Sequence, residues 1–288
     1  MNTLNATQLA PLLNSYTINP GPPRTIVVPH ASKLAALRDV TVLGTLLPKQ
    51  VLLLKMGAPQ IPRPPATQVG NGGYHKAEAD GDLHFCLGVK PLQPHIPCEI
   101  QHATNWLTVF NQLIGQQIRV SGFFRCLFEH PGFNPKNDAH IFEIHPVRAF
   151  QQGNALHPID VVKPDVIHPW SARLNQQDAA VKVQYDKAKD RLTFSNVGML
   201  DTNYVQLAGK VSNLKLSSGA GVPSSFTFSS PQIGHAVAVY CLQDTTAATE
   251  LRKLKKQTIT LVALRNIDLA QTIKTVNYVI SLVAIDIQ

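Results

Sequence analysis

Histidine and acidic side chains recur at alternate positions of three strand-like segments, where they could bind a metal ion or transfer protons. The segments read DGDLHF at 80–85, CEI at 98–100 and EIHPV at 143–147. Apolar and polar residues alternate in each of them, which is the two-residue period of a β-strand. With the apolar residues facing a core, the other face carries the polar set: Asp82, His84, Glu99, Glu143 and His145.

This polar set has two interpretations. Neutral imidazole and ionised carboxylate groups suit zinc or manganese, and the same groups can act as general acids and bases. The alternative is a hydrogen-bonded ladder that fixes strand register on an exposed face. The spacings D-x-H and E-x-H are weak metal motifs, and the chain contains no HExxH, CxxC, P-loop or GxSxG motif. We therefore favour the ladder over a divalent metal cofactor and assign no catalytic residue.

The elements that carry these residues follow an order that occurs twice. Residues 38–150 read as strand, long loop, strand, strand, helix, strand, loop, strand, and residues 201–288 repeat this order, with helices expected near 104–116 and 246–256. Five strands with a helix between the third and fourth is the order of the OB-fold. The sequence predicts an all-β fold with short helices, built as two tandem OB-fold-like five-stranded barrels joined by a Pro-containing linker. A pair of β-sandwiches is the structural alternative.

The predicted organisation has four parts. An N-terminal segment at 1–37 is rich in proline and precedes the first barrel at 38–150. A linker follows at 151–173, where three prolines favour a stiff connection. The second domain covers 174–288 and begins with a hairpin at 181–194.

Residues 38–150 resemble a widespread group of small bacterial domain proteins of undefined function. The resemblance is carried by DGDLHF, CEI, the strand VSGFF at 120–124, His130 and EIHPV. It implies a shared domain and a shared polar patch, but no activity, and relatives of this group are often exported. This sequence departs from the group at Arg125, where the group often has Asp.

The charge balance is compatible with nucleic acid. Lys and Arg number 26 against 18 for Asp and Glu, so the formal net charge is +8, while 44% apolar residues exclude a disordered chain. OB-folds hold single strands through basic groups and aromatic rings. The candidate nucleic-acid-binding residues are Arg63, Tyr74, Lys76, Lys210, Lys215, Tyr240, Arg265 and Lys274.

These observations favour a binding protein for single-stranded nucleic acid with little sequence preference. A protein–protein adaptor or assembly subunit is the first alternative, and a metal-dependent hydrolase at the first barrel is the second. The four cysteines form no CxxC and predict buried, reduced thiols. Because no apolar run could cross a membrane and no signal peptide is evident, we expect a cytoplasmic protein without a membrane partner. The resemblance to the bacterial domain proteins implies a bacterial source.

Overall fold

The computed structural model describes residues 3–48, 83–89, 94–101, 103–130, 140–164, 167–198, 202–217, 219, 221–254 and 257–288. In this part of the chain the protein is mostly β, with six short helices between the strands. None of the helices in these ranges has the length and apolarity needed to span a bilayer.

The first half of the chain supplies nine strands and three helices. In order, they are β1 (Thr3–Asn5), α1 (Ala6–Leu13), β2 (Thr17–Asn19), β3 (Thr25–Pro29), α2 (Ala31–Ala35), β4 (Asp39–Leu46), β5 (Leu83–Gly88), β6 (Ile96–Ile100), α3 (Ala103–Gln112), β7 (Gln117–His130), β8 (His140–Gln152) and β9 (Ala155–Pro158).

The second half supplies the remaining elements. In order, they are β10 (His168–Pro169), α4 (Ala172–Ala180), β11 (Lys182–Asp186), β12 (Arg191–Ser195), β13 (Tyr204–Lys215), β14 (Ser224–Ser229), β15 (Ala236–Cys241), α5 (Thr246–Lys253), β16 (Thr258–Ile267), α6 (Leu269–Thr275) and β17 (Ile280–Ile287).

A closed five-stranded barrel forms the C-terminal region. Its strands are bonded in the order β13–β14–β15–β17–β16, and β16 returns to pair with β13. The strand β13 closes the barrel because its beginning pairs with β16 and its end with β14. The helix α5 lies between the third and fourth strands in the chain, where the sequence predicted it, and turns Ala247, Ala248 and Leu251 inward. The predicted barrel is thus confirmed for this region.

The N-terminal sheet follows a similar order. Its strands run β1–β4–β5–β6–β8–β7, with β9 on β8 and a further pairing of β4 with β7. In the described residues, β4 meets β5 through only two residue pairs, at Thr45 and Leu46. The predicted helix forms as α3, and Phe110 from it packs 4.6 Å from Phe85 and 5.1 Å from Phe150, measured between ring centroids.

A third sheet joins two distant parts of the chain. The hairpin predicted at 181–194 forms as β11 and β12, and β12 pairs with β3, which pairs with β2. Ile26, Val28, Leu192 and Phe194 are buried on its inner face. The prolines at 17–38 therefore do not prevent regular structure, because alternating apolar residues in β3 pair with a strand far along the chain, as in Phe194 opposite Ile26, 168 positions apart.

Both halves share buried surface. Phe123 on β7 belongs to one apolar cluster with Val262, Leu264 and Val283 of the C-terminal barrel. The segment predicted as a linker also joins the sheets, because β9 pairs with β8, β10 pairs with β13, and Trp170 is buried. All four cysteines are buried and free, as the sequence predicted.

Candidate functional site

Four of the predicted metal-binding residues gather where the two halves meet. His84 Nε2 lies 2.8 Å from Glu99 Oε2, and His145 Nδ1 lies 3.1 Å from the same oxygen and 3.2 Å from Glu143 Oε1. The clustering predicted from strand alternation is therefore confirmed for these four. Asp82, the fifth residue, lies outside the described residues.

The prediction of an exposed polar face is wrong for three of these residues. Glu99, Glu143 and His145 are buried, whereas the His84 side chain is 36% exposed. The second half covers the cluster, since His145 Nε2 lies 2.7 Å from the Tyr204 hydroxyl oxygen, which also accepts a hydrogen bond from Gln101 Nε2. Alternation assigned the correct face of the strands but did not reveal what packs against that face.

Arg125 supplies the positive charge of the cluster. Its guanidinium pairs with Glu143, and its Nη1 atom lies 3.5 Å from Glu129 Oε2. The same side chain reaches the second half, where it donates to Asn203 Oδ1 and, through Nε at 2.8 Å, to the backbone oxygen of Arg265. Arg125 therefore joins the acidic residues of the first half to the backbone of the C-terminal barrel.

The pKa shifts follow from burial and from these pairs. Burial opposes the charge on His145, but Glu99 and Glu143 outweigh it and raise the pKa of the imidazole to about 10. Burial likewise disfavours ionised Glu99 and Glu143, yet His145 and Arg125 respectively hold their pKa values well below the usual range. For Glu129 burial prevails and raises the pKa to about 7.

The donor atoms of this cluster are paired with one another, and a divalent ion would have to compete with these pairs. Ligand atoms of Glu99, Glu143 and His145 lie within 4.8 Å of one another, and Glu99 Oε1 is buried without a hydrogen-bond partner. His145 Nδ1 faces two carboxylate oxygens and donates to them when protonated, so a bound metal ion would have to displace that proton. Arg125 and protonated His145 offset the charges of Glu99 and Glu143, and Glu129 lies beside Arg125 as a third carboxyl group. The cluster is a buried ion-pair network that holds the two halves together.

The prediction of nucleic-acid binding is wrong for two residues, because other protein groups already contact their side chains. The Tyr240 ring packs 5.7 Å from Phe123, the Arg38 guanidinium lies 5.4 Å above it, and its hydroxyl donates to Asp268 at 2.8 Å. The Arg265 side chain is fully buried and donates from Nη2 to both Asp178 carboxylate oxygens at 2.7 Å. Tyr240 therefore offers no free face to a base, and Arg265 offers no phosphate contact.

The remaining predicted basic residues have different locations. Lys210 and Lys215 are exposed on β13, and Lys274 is exposed at the end of α6. Lys210 pairs with Thr258 at the start of β16, whereas α6 follows the end of that strand, so the structure separates Lys274 from the other two. Arg63, Tyr74 and Lys76 lie outside the described residues.

A β-bulge puts the two β13 lysines on one face. Lys210 pairs with Ser229 and Ser212 with Thr227, but the register then shifts so that Lys215 pairs with Ser225. One extra residue in β13 accounts for the shift, and Asn213 adopts a left-handed backbone there, with φ of 49°. Without the bulge, Lys215 would point to the opposite face. We call the outer surface with Lys210, Lys215, Ser225, Thr227 and Ser229 the lysine face.

A groove of about 660 Å³ opens at one end of the lysine face. Lys210, Ser229, His235 and Thr258 contribute polar groups to its lining, and small residues such as Gly234 form the rest. The volume lies within the usual range for sites that bind small ligands. Sequence reasoning missed His235, because a lone histidine in a turn carries no pattern. It also missed Asn203 and Tyr204, because only tertiary packing brings them to Arg125 and His145.

No protein-family model matches the chain, and no curated protein matches it either. The lysine face, the groove and the ion-pair network are the features of this chain from which a function can be inferred.

Proposed function

We propose that the protein binds single-stranded nucleic acid through the lysine face of its C-terminal barrel. The observation that carries the proposal is the pair Lys210 and Lys215, which the bulge places on one side of a row of three hydroxyl groups. Lysine and hydroxyl side chains are common donors to phosphate oxygens. The groove beside Lys210 gives the same surface a concave end.

We also propose that both halves are OB-like barrels, joined by the Pro-containing segment. In each half, the third and fifth barrel strands in chain order pair in parallel: β6 with β8, and β15 with β17. A helix precedes the fourth strand in both halves. These shared features support one topology for both halves. OB-folds bind oligonucleotides on the face of their second and third strands. In the C-terminal barrel these strands are β14 and β15, which contribute to the lysine face and the groove.

Phosphate contacts should dominate this binding. Every Phe, Trp and Tyr side chain that the structure describes is buried or half-buried, so none of these rings is fully exposed there for stacking. Contacts to phosphate carry no sequence information and release counterions. We therefore expect weak, sequence-independent binding with a clear dependence on salt.

Fluorescence anisotropy with a labelled 12-nucleotide thymidine strand tests the proposal. Two phosphate contacts give a slope of about −1.4 in log K against log salt, or about sevenfold weaker binding between about 50 and 200 mM salt. The double variant Lys210→Ala with Lys215→Ala should lose this slope. Lys274→Ala removes one lysine charge at an exposed position of α6, away from the lysine face, and should change affinity little. If the wild-type protein binds no strand at low salt, the proposal is wrong and the adaptor function replaces it.

A further inference from the structure

We infer that the groove beside Lys210 binds a phosphomonoester, namely the terminal phosphate of the strand whose inner phosphates contact the lysine face. The inference rests on the proposed function and assigns a place to one end of the strand. A terminal phosphate carries up to about two negative charges and presents three strong acceptor oxygens. A site for it should therefore combine positive charge with several hydrogen-bond donors and contain no acidic group.

The groove forms where one edge of β13 changes its partner strand. On that edge β10 pairs with β13 as far as Gln206, and β14 pairs with it from Lys210 onwards. The opposite edge of β13 pairs with β16 over the same stretch. Ala208 and Gly209, which lie between the two partner strands, line the groove on one side, and residues of the turn Ser230–Gly234 line it on the other. The groove is thus a consequence of the strand pairing in the barrel.

The turn that leads to His235 is held in one shape. The backbone nitrogen of Gly234 donates to the Ser230 backbone oxygen at 3.1 Å, and the Ser230 hydroxyl donates to Gln232 Oε1 at 3.0 Å. From α4, the side-chain amide of Asn175 donates to the Gln232 backbone oxygen at 2.9 Å. A turn fixed in this way loses little conformational entropy when a ligand binds, so the groove wall is preorganised.

The donors of the groove come from four neighbouring positions. Thr258 on β16 and Ser229 on β14 both lie directly opposite Lys210 in the barrel. Because directly opposed residues of neighbouring strands point to the same face, Lys210 stands between two hydroxyl groups there. His235 adds a ring N–H, all four side chains are exposed, and none of the described residues that line the groove is acidic. This lining is complementary to a phosphate anion.

The position of the groove favours the end of a strand over its middle. Lys210 and Ser229 belong both to the lysine face and to the groove, so a strand that contacts Lys215 reaches the groove along β13. An inner phosphate carries one negative charge, whereas the terminal phosphate can use the additional donors of the groove. Small residues such as Gly234 and Ala236 line the rest of the groove and leave room for the nucleotide that carries this phosphate.

Three internally labelled 12-nucleotide thymidine strands that differ only at their ends test the inference. One has a hydroxyl group at both ends, the second carries a 5′-phosphate, and the third carries a 3′-phosphate. We expect the wild-type protein to bind at least one phosphorylated strand about tenfold more tightly than the hydroxyl strand, at the low end of what a hydrogen bond to a charged group contributes. The double variant His235→Asn with Thr258→Val should bind all three strands with equal affinity. His30→Asn, which changes an exposed histidine at the start of α2, is the matched control and should keep the preference.

Further outcomes distinguish this inference from the proposed function. If the wild-type protein binds all three strands equally, or if the double variant keeps the tenfold preference, the inference is wrong while binding at the lysine face stands. If no strand binds, the proposed function is wrong and the inference with it. Thymidine 5′-monophosphate alone should bind more weakly than the preferred strand in calorimetry, because it does not reach Lys215. If it binds as tightly, the groove takes free nucleotides and the assignment to a strand end is overturned.

Discussion

Replacing Arg125 with methionine tests the ion-pair network that joins the two halves. The substitution keeps an unbranched apolar stem but removes the guanidinium, which leaves Glu143 buried beside Glu99 with one cation instead of two. It also removes the donors to Asn203 Oδ1 and to the Arg265 backbone oxygen. Removing one partner of a buried ion pair typically costs about 3–5 kcal/mol, because the other charge stays in the interior.

Urea unfolding of both proteins measures this cost. We expect Arg125→Met to lower the free energy of unfolding by about 3–5 kcal/mol without a large change in the denaturant slope. Lys253→Met is the control, since it removes a surface pair with Glu250 and should cost less than about 1 kcal/mol. Adding Glu143→Gln to Arg125→Met should restore part of the loss, because the unpaired charge is then removed. If Arg125→Met costs no more than Lys253→Met, the network does not hold the halves together.

Two further predictions concern pH and Tyr240. His145 has a folded-state pKa of about 10 against 6.5 for the ordinary group, so the stability it contributes is complete below about pH 6.5 and is lost as the pH rises towards 10. Burial raises the pKa of Glu129 from 4.5 to about 7, so this residue also lowers the free energy of unfolding as the pH rises between about 4.5 and 7. Glu99 and Glu143 have lowered pKa values, so the stability they contribute is lost as the pH falls below about 4.5. Urea unfolding should therefore show lower stability at about pH 9 and pH 3 than at pH 6. His145→Gln should reduce the loss of stability between pH 6 and pH 9. Tyr240→Phe removes the hydrogen bond to Asp268 and should lower the free energy of unfolding by about 1 kcal/mol in the same assay. Oligonucleotide affinity should stay unchanged, and a weaker affinity would mean that the Tyr240 hydroxyl contacts the ligand.

Local sequence signals were sufficient for most of the C-terminal barrel. They predicted five strands with a helix near 246–256 between the third and fourth, and that helix forms as α5. They do not show which strands are buried on both faces. In β16 nearly every residue from Leu261 onwards is buried, because the first half covers the outer face, and no period in the sequence announces that contact.

The candidate site shows the same limit at the level of single residues. Strand alternation put Glu99, Glu143 and His145 on one face, yet only tertiary packing decides that Tyr204 and Arg125 seal that face from water. Residue type suggested that Arg265 could contact phosphate, but Asp178 pairs with it through α4. The bulge beside Asn213 also has no strong sequence signature, although it decides which way Lys215 points.

Chemical footprinting of lysines tests the proposed binding surface most directly. The wild-type protein is acetylated with and without a saturating 12-nucleotide thymidine strand at low salt, and modification of each lysine is measured by mass spectrometry. We predict that the strand protects Lys210 and Lys215, whereas Lys253 and Lys274, which are exposed on α5 and α6, stay as reactive as in the free protein. Protection of Lys253 or Lys274, with Lys210 and Lys215 still fully reactive, would contradict binding at the lysine face.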